Sequence, residues 1–182
     1  MERGYLLLLI GAGLIAVTAL PMTELMFPFL GIVVVLAGIQ NMRTARKELK
    51  YAQYSAVATL VLNLVWVFLP ISWHIHLWAL LMILPIFFEI STFFWLFKAE
   101  YMWAPHAKKR FDWLLYTGVA SIYFVFSAMI PFSRLGFSVT TAIFRLFNFL
   151  NLAMFLHYGV LIFILVKLYL ESRSGSGLRR WH

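Results

Sequence analysis

The chain has 182 residues, of which 63% are hydrophobic and 12% are charged, and its mean hydropathy is +0.88. This composition leaves too little polar surface to coat a water-soluble globule of this size. The absence of cysteine excludes disulfide exchange, thiolate catalysis and cysteine-ligated metal sites. The composition therefore predicts a single domain embedded in a membrane.

Six apolar stretches follow one another along the chain, each close to the ~20 residues that a membrane-spanning helix requires. They cover residues 4–22, 25–42, 51–71, 77–97, 111–130 and about 150–169. Short connections pair them into three hairpins, so the sequence predicts an all-α, polytopic membrane protein with six transmembrane helices. The predicted domain covers residues 1–171, and residues 172–182 form a short basic tail.

Basic residues lie almost entirely in the connections on one side of these stretches. Those on the opposite side offer only Arg134, so the positive-inside rule predicts a multi-pass cell-membrane protein with both termini in the cytoplasm. The net charge of +8 is spread over short loops rather than one soluble face. This distribution predicts contact with the lipid bilayer and its anionic inner leaflet, and no nucleic-acid partner.

The first hairpin has a symmetric arrangement of glycines. Gly4 and Gly11 mirror Gly38 and Gly31 about Pro21, so an antiparallel pair of helices turning there sets glycine opposite glycine twice. Small residues allow transmembrane helices to approach closely. The pattern predicts close backbone packing and no chemistry.

The last hydrophobic stretch, residues 135–166, holds one charge, Arg145, and as one helix is longer than a ~30 Å hydrocarbon core. Two alternatives follow. Either this helix is tilted or projects beyond the bilayer, or residues 138–149 form a separate interfacial or re-entrant helix before the last span.

Glu89 is the main candidate for chemistry, because it lies near the middle of the fourth predicted span, where an unpaired carboxylate is costly. It is expected to be protonated or hydrogen-bonded. Pro85, one turn earlier, frees the carbonyl of Leu81, which predicts a kink beside a small polar pocket. The alternative is a hydrogen bond from Glu89 to a neighbouring helix that only fixes packing.

On the third span, Thr59, Asn63 and Trp66 share one helical stripe. An antiparallel hairpin places Thr59 and Asn63 near the depth of Glu89, so one of these two is its predicted hydrogen-bond partner. Trp66 lies deep enough to line a ligand pocket. The alternative is that these residues only join helices, through hydrogen bonds worth about 0.6 kcal/mol each.

If the last stretch is one helix, Thr141, Arg145, Asn148 and Asn151 occupy an arc of about 120°. Such a stripe is expected to avoid lipid and to face the bundle interior or a watery cavity. Arg145 then binds an anionic group or pairs with Glu89. The alternative is an Arg145 that snorkels to the outer headgroups.

His157 points away from this stripe, so it is expected to join the same site only if the helix is broken. The other histidines fall in predicted loops or the tail, which predicts no haem and no metal site. No nucleophile elbow, zinc-protease motif or phosphate-binding glycine loop occurs. The sequence therefore predicts no cofactor and favours a protein that is not an enzyme.

Ala12-x-x-x-Ala16 resembles part of the small-residue motif by which the substrate-binding subunits of energy-coupling-factor vitamin transporters dock. The chain is also similar to those subunits in size and helix count. The resemblance implies a solute-binding membrane subunit. The chain departs from the motif at its third position, Leu20, and carries no matching substrate-loop motif.

Two functional hypotheses follow. The first is a binding or transport subunit for a small, partly apolar solute, with a midplane polar site. The second is a regulatory or assembly subunit that docks onto another membrane protein. A pocket that reaches Glu89 favours the first, and a dry core with an apolar groove favours the second. The predicted ligand-binding residues of the first hypothesis are Glu89, Asn63, Trp66, Arg145 and Asn148.

Overall fold

The computed structural model describes residues 2–18, 26–42, 47–68, 71–101, 107–133 and 141–173. These residues form six helices and no strand, which confirms the predicted all-α class. The helices are α1 (Glu2–Thr18), α2 (Met26–Asn41), α3 (Lys47–Phe68), α4 (Ile71–Tyr101), α5 (Ala107–Ser133) and α6 (Thr141–Arg173).

Each helix packs against the next one in the chain, and α6 packs against α1. The helices therefore close into a ring built from the hairpins α1–α2, α3–α4 and α5–α6. The fourth helix remains helical through Pro85. The second helix ends where the Asn41 side chain donates to the carbonyl of Ala37 at 2.7 Å and the backbone N–H of Met42 donates to Ile39.

The predicted glycine pairs of the first hairpin are confirmed. Gly4 lies against Gly38, and Gly11 lies against Gly31. A Cβ atom built on Gly31 would lie 2.6 Å from Cγ1 of Ile15 and 2.8 Å from the carbonyl oxygen of Gly11. Because neither distance is sterically allowed, these two backbones approach as closely as only glycine permits.

The last helix is continuous over 33 residues, from Thr141 to Arg173. The alternative prediction of a separate interfacial or re-entrant helix over residues 138–149 is therefore wrong for residues 141–149, because they belong to α6. Residues 138–140 lie outside the described residues. At 1.5 Å per residue, α6 is about 50 Å long. It also continues into the predicted tail, where the Ser172 hydroxyl donates to the Tyr169 carbonyl at 2.7 Å. The tail residues 174–182 lie outside the described residues.

The most deeply buried side chains lie toward one end of the ring, which we call the basic end because Arg3, Lys47, Lys98 and Lys167 lie in that half. All six helices contribute to this core: Leu8, Val35, Ala52, Phe97, Tyr116 and Leu161 are among its members. Toward the opposite, far end, none of the described side chains of α3 after Thr59 is buried, and the same holds for α4 before Thr92. Among the described side chains of α3 and α4, burial is therefore concentrated toward the basic end.

An ion pair joins α5 to α6 at the basic end. The Lys167 ammonium lies 2.5 Å from Oδ2 of Asp112, whose side chain is buried. Such a pair satisfies a carboxylate that would otherwise be buried without a partner. It fixes the two helices of this hairpin beside each other.

Two segments of the described chain, Phe111–Met129 and Asn148–Arg173, are long and apolar enough to cross a membrane, and the apolar segment Phe29–Asn41 is shorter. By length and composition, these segments indicate membrane association. Large apolar side chains also lie exposed on the outside of every helix. Examples, in chain order, are Ile10, Leu30, Val61, Phe87, Ile122 and Phe163.

Candidate functional site

Glu89 lies near the middle of α4 and contacts α6. The Tyr158 hydroxyl of α6 donates a hydrogen bond to Oε1 of Glu89 at 3.0 Å. Glu89 is therefore hydrogen-bonded, which is one of the two expected states. The predicted partner was wrong, because the donor is neither Thr59 nor Asn63. The Thr59 hydroxyl donates instead to the Ser55 carbonyl of its own helix, at 3.0 Å.

The α3–α4 hairpin shows why Asn63 and Trp66 lie away from this hydrogen bond. The hydroxyls of Ser55 and Ser91 share a hydrogen bond of 3.1 Å, which sets the register of the two antiparallel helices. In that register Asn63 lies about 9 Å along the helix axis from Glu89. Trp66 lies farther toward the far end, and its side chain is outside the described residues.

Asn148 and Arg145 lie toward the far end of α6. Their backbone positions are about 15 Å and about 20 Å along the α6 axis from Tyr158, at 1.5 Å per residue. The Asn148 and Asn151 side chains are exposed, and the Arg145 side chain is outside the described residues. Tyr158, not Arg145, therefore lies beside Glu89, which removes the geometric basis for the predicted Arg145–Glu89 pair.

Two tyrosines of α5 surround the Glu89–Tyr158 hydrogen bond. The Tyr123 side chain is in hydrogen-bonding contact with Tyr158 and Ser127, and the rings of Tyr123 and Tyr158 have their centroids 6.2 Å apart. The Tyr116 hydroxyl donates to the α4 backbone at 3.4 Å. The helices α4, α5 and α6 thus each contribute to one polar and aromatic cluster.

His157 is fully buried in the same cluster. Its ring stacks on Tyr123 with centroids 5.0 Å apart and contacts Tyr116 and Tyr158 at 5.5 and 5.0 Å. Within the described chain, neither ring nitrogen has a hydrogen-bond partner. Because α6 is continuous, His157 does not share a site with the stripe of Arg145 and Asn148. It lies instead beside Tyr158, at the level of Glu89.

We call Glu89, Tyr116, Tyr123, His157 and Tyr158 the Glu89 cluster. It has a carboxylate acceptor, hydroxyl donors and an imidazole, and these groups can bind a solute that carries a polar or cationic group. No group of three or more His, Asp or Glu side chains suited to a metal occurs in the described part of the chain.

The sequence analysis missed the three tyrosines, although α5 carries a signal for two of them. Tyr116, Ala120, Tyr123 and Ser127 are spaced by four, three and four residues, so they share one helix face, and all four are buried. Buried tyrosines need hydrogen-bond partners. A face of this kind therefore indicates a polar contact in the core.

A groove of about 580 Å³ lies between α4 and α5. Phe87, Phe94 and Trp95 of α4 and Phe124 of α5 supply its aromatic walls. The groove and the Glu89 cluster share Tyr116.

The small-residue motif of the first helix is not an exposed docking face, because Ala12 is fully buried in the core. The resemblance to energy-coupling-factor subunits therefore has no support from that position. No family model, curated protein or solved structure matches the chain. The site geometry alone carries the functional argument.

Proposed function

We propose that the protein is a multi-pass membrane protein in which all six helices cross the bilayer, with both termini in the cytoplasm. Two observations support this topology. Apolar side chains cover the outside of every helix, which suits contact with lipid. Apart from Arg145, the basic residues of the helices lie in the half of the ring at the basic end, as the positive-inside rule requires of the cytoplasmic side.

Within this topology, we propose that the protein binds or transports a small, partly apolar solute at the Glu89 cluster. The observation that carries the proposal is that the Glu89 cluster contains buried polar atoms with no hydrogen-bond partner among the described residues. His157 is fully buried, and its two nitrogens have no partner among the described residues. Its ring contacts Tyr158, whose hydroxyl donates to Glu89, and the proposed topology places Glu89 near the bilayer midplane. Ionisable groups at such a depth are costly, and they mark binding sites or transport paths.

The distribution of burial supports access from the far end. The basic end is filled by side chains from all six helices, and Lys167 and Asp112 join α5 to α6 there. None of the described side chains of α3 after Thr59 is buried, and none of those of α4 before Thr92 is buried. We infer that a solute enters from the outside and reaches the Glu89 cluster without crossing the packed core.

The second candidate function is a regulatory or assembly subunit that docks onto another membrane protein. One observation favours it: the apolar groove between α4 and α5 is open to the outside of the bundle. An exposed apolar groove is a typical docking surface. In that case the Glu89 cluster serves only to fix the packing of three helices.

Native mass spectrometry of the purified full-length protein tests the solute-binding proposal. The wild type is expected to carry a small-molecule adduct. Tyr158→Phe removes the hydroxyl beside Glu89 and is expected to weaken retention of this adduct about two- to tenfold, because one hydrogen bond is worth roughly 0.5 to 1.5 kcal/mol. Tyr54→Phe is the matched control, since Tyr54 lies exposed on α3, and it is expected to retain the adduct.

Melting temperatures of the same variants separate binding from stability. Asn63→Ala and Trp66→Ala extend the series, and because both positions lie away from the Glu89 cluster along α3, both variants are expected to retain the adduct. A wild type without any adduct, or losses of adduct that follow the losses of stability, would overturn the solute-binding proposal in favour of the docking subunit.

A further inference from the structure

The groove between α4 and α5 presents a wall that is chemically apolar despite its four hydroxyl groups. The Ser91 hydroxyl is paired with Ser55 of α3 at 3.1 Å. The hydroxyls of Thr117 and Ser121 donate to the backbone of their own helix at 2.7 and 2.8 Å, and that of Tyr116 donates to the α4 backbone. Because each of these hydroxyls already has a partner, the groove offers hydrocarbon and aromatic surface to whatever occupies it.

Aromatic side chains hold the two walls in place along the groove. Phe87 of α4 contacts Phe124 of α5 with ring centroids 5.8 Å apart, and Phe94 contacts Trp113 with centroids 5.5 Å apart. Between these contacts the α4 wall runs about 11 Å along the helix axis. The groove is therefore elongated along the direction in which lipid chains run.

A positive charge lies at the basic end of this groove. The Lys98 ammonium sits 4.6 Å from the centroid of the Trp95 ring, which is itself part of the groove wall. Anionic headgroups are attracted to basic residues at the cytoplasmic interface, by about 1 kcal/mol for each Lys or Arg.

We propose that the groove binds one acyl chain of an anionic phospholipid from the cytoplasmic leaflet, with the headgroup beside Lys98. The proposal rests on the membrane topology proposed above but not on the Glu89 cluster. A volume of about 580 Å³ falls within the range of small-molecule pockets. A partner helix is 10–12 Å across and gains from hydrogen bonds to polar side chains, which this wall does not leave available.

Native mass spectrometry with two added lipids of identical acyl chains, phosphatidylglycerol and phosphatidylcholine, tests the proposal on the full-length protein in detergent. Wild type is expected to bind one phosphatidylglycerol about fivefold more tightly than phosphatidylcholine. This ratio corresponds to the binding free energy of about 1 kcal/mol that one Lys near the membrane surface contributes. Lys98→Gln is expected to abolish this preference while phosphatidylcholine binding persists.

Two groove variants test the acyl-chain part. Ser121→Trp fills the exposed groove, and Phe87→Ala removes part of its wall, so both are expected to weaken binding of both lipids about tenfold. Val57→Trp is the control, because Val57 is exposed on α3 outside the groove, and it is expected to bind lipid as the wild type does. Ser121→Trp and Phe87→Ala change the groove in opposite ways, so if one of them fails to fold, the other still tests the proposal.

The outcomes separate this proposal from the others. Equal binding of the two lipids by wild type, or unchanged lipid binding in both groove variants, would overturn it. Loss of a dimer in Ser121→Trp with lipid binding intact would identify the groove as a docking surface for a second copy. Glu89→Gln is expected to leave lipid binding unchanged, so failure of the solute site and failure of the lipid site give different results.

Discussion

Gly31→Ala is expected to lower the free energy of unfolding by about 1 to 3 kcal/mol, the usual cost of overpacking. The added Cβ atom would meet the backbone carbonyl of Gly11 at 2.8 Å and Cγ1 of Ile15 at 2.6 Å. A backbone atom cannot rotate away, so α1 and α2 must separate along this part of the hairpin. Thermal or denaturant unfolding of the purified protein measures the loss.

Gly13→Ala is the matched control in the same hairpin, because a Cβ atom at Gly13 of α1 meets nothing within 4 Å. This variant is expected to be neutral or to gain up to about 1 kcal/mol from helix propensity. Equal stability of Gly31→Ala and Gly13→Ala would contradict the glycine packing.

His157→Leu is expected to raise the free energy of unfolding by about 1 to 3 kcal/mol and to reduce solute retention. The imidazole is fully buried and its nitrogens have no partner among the described residues, and each unsatisfied buried polar group costs roughly that amount. Leucine has a similar volume and no polar atom. A gain in stability joined to a loss of binding is typical of a functional site.

His157→Gln keeps a polar side chain at the same position and is expected to remain less stable than His157→Leu. The melting temperatures of the two variants, with native mass spectrometry of each, provide the comparison. A His157→Leu variant that is less stable than wild type, with the loss recovered in His157→Gln, would show that a hydrogen bond to His157 contributes to stability.

The helices and the first hairpin were predictable because their signals are local or symmetric. The apolar run lengths placed six helices, and the mirror positions of Gly4, Gly11, Gly31 and Gly38 placed the contacts of α1 with α2. The long last stretch left two alternatives open, since its sequence has no break that separates a continuous α6 from two helices. The structure shows one helix over residues 141–173.

The candidate site was predictable only in part. Glu89 stood out through its depth, but its partner depends on how α4, α5 and α6 are rotated and aligned in the ring. Tyr158 lies 69 residues from Glu89 in the chain, and no spacing rule connects them. Arg145 was attractive because of its opposite charge, yet it lies about 20 Å along the α6 axis from Tyr158.

Solute binding at the Glu89 cluster requires that Glu89 lies inside the bilayer. Cysteine labelling in intact cells tests that topology most directly, because the natural chain contains no cysteine. Thr44→Cys and Ala107→Cys fall in connections that the sequence predicts to be cytoplasmic, and Ile75→Cys falls in one that it predicts to lie on the opposite side. The topology predicts that a membrane-impermeant thiol reagent modifies only Ile75→Cys, and that all three react once the membrane is permeabilised. Labelling of Thr44→Cys and Ala107→Cys in intact cells, with Ile75→Cys protected, would contradict it.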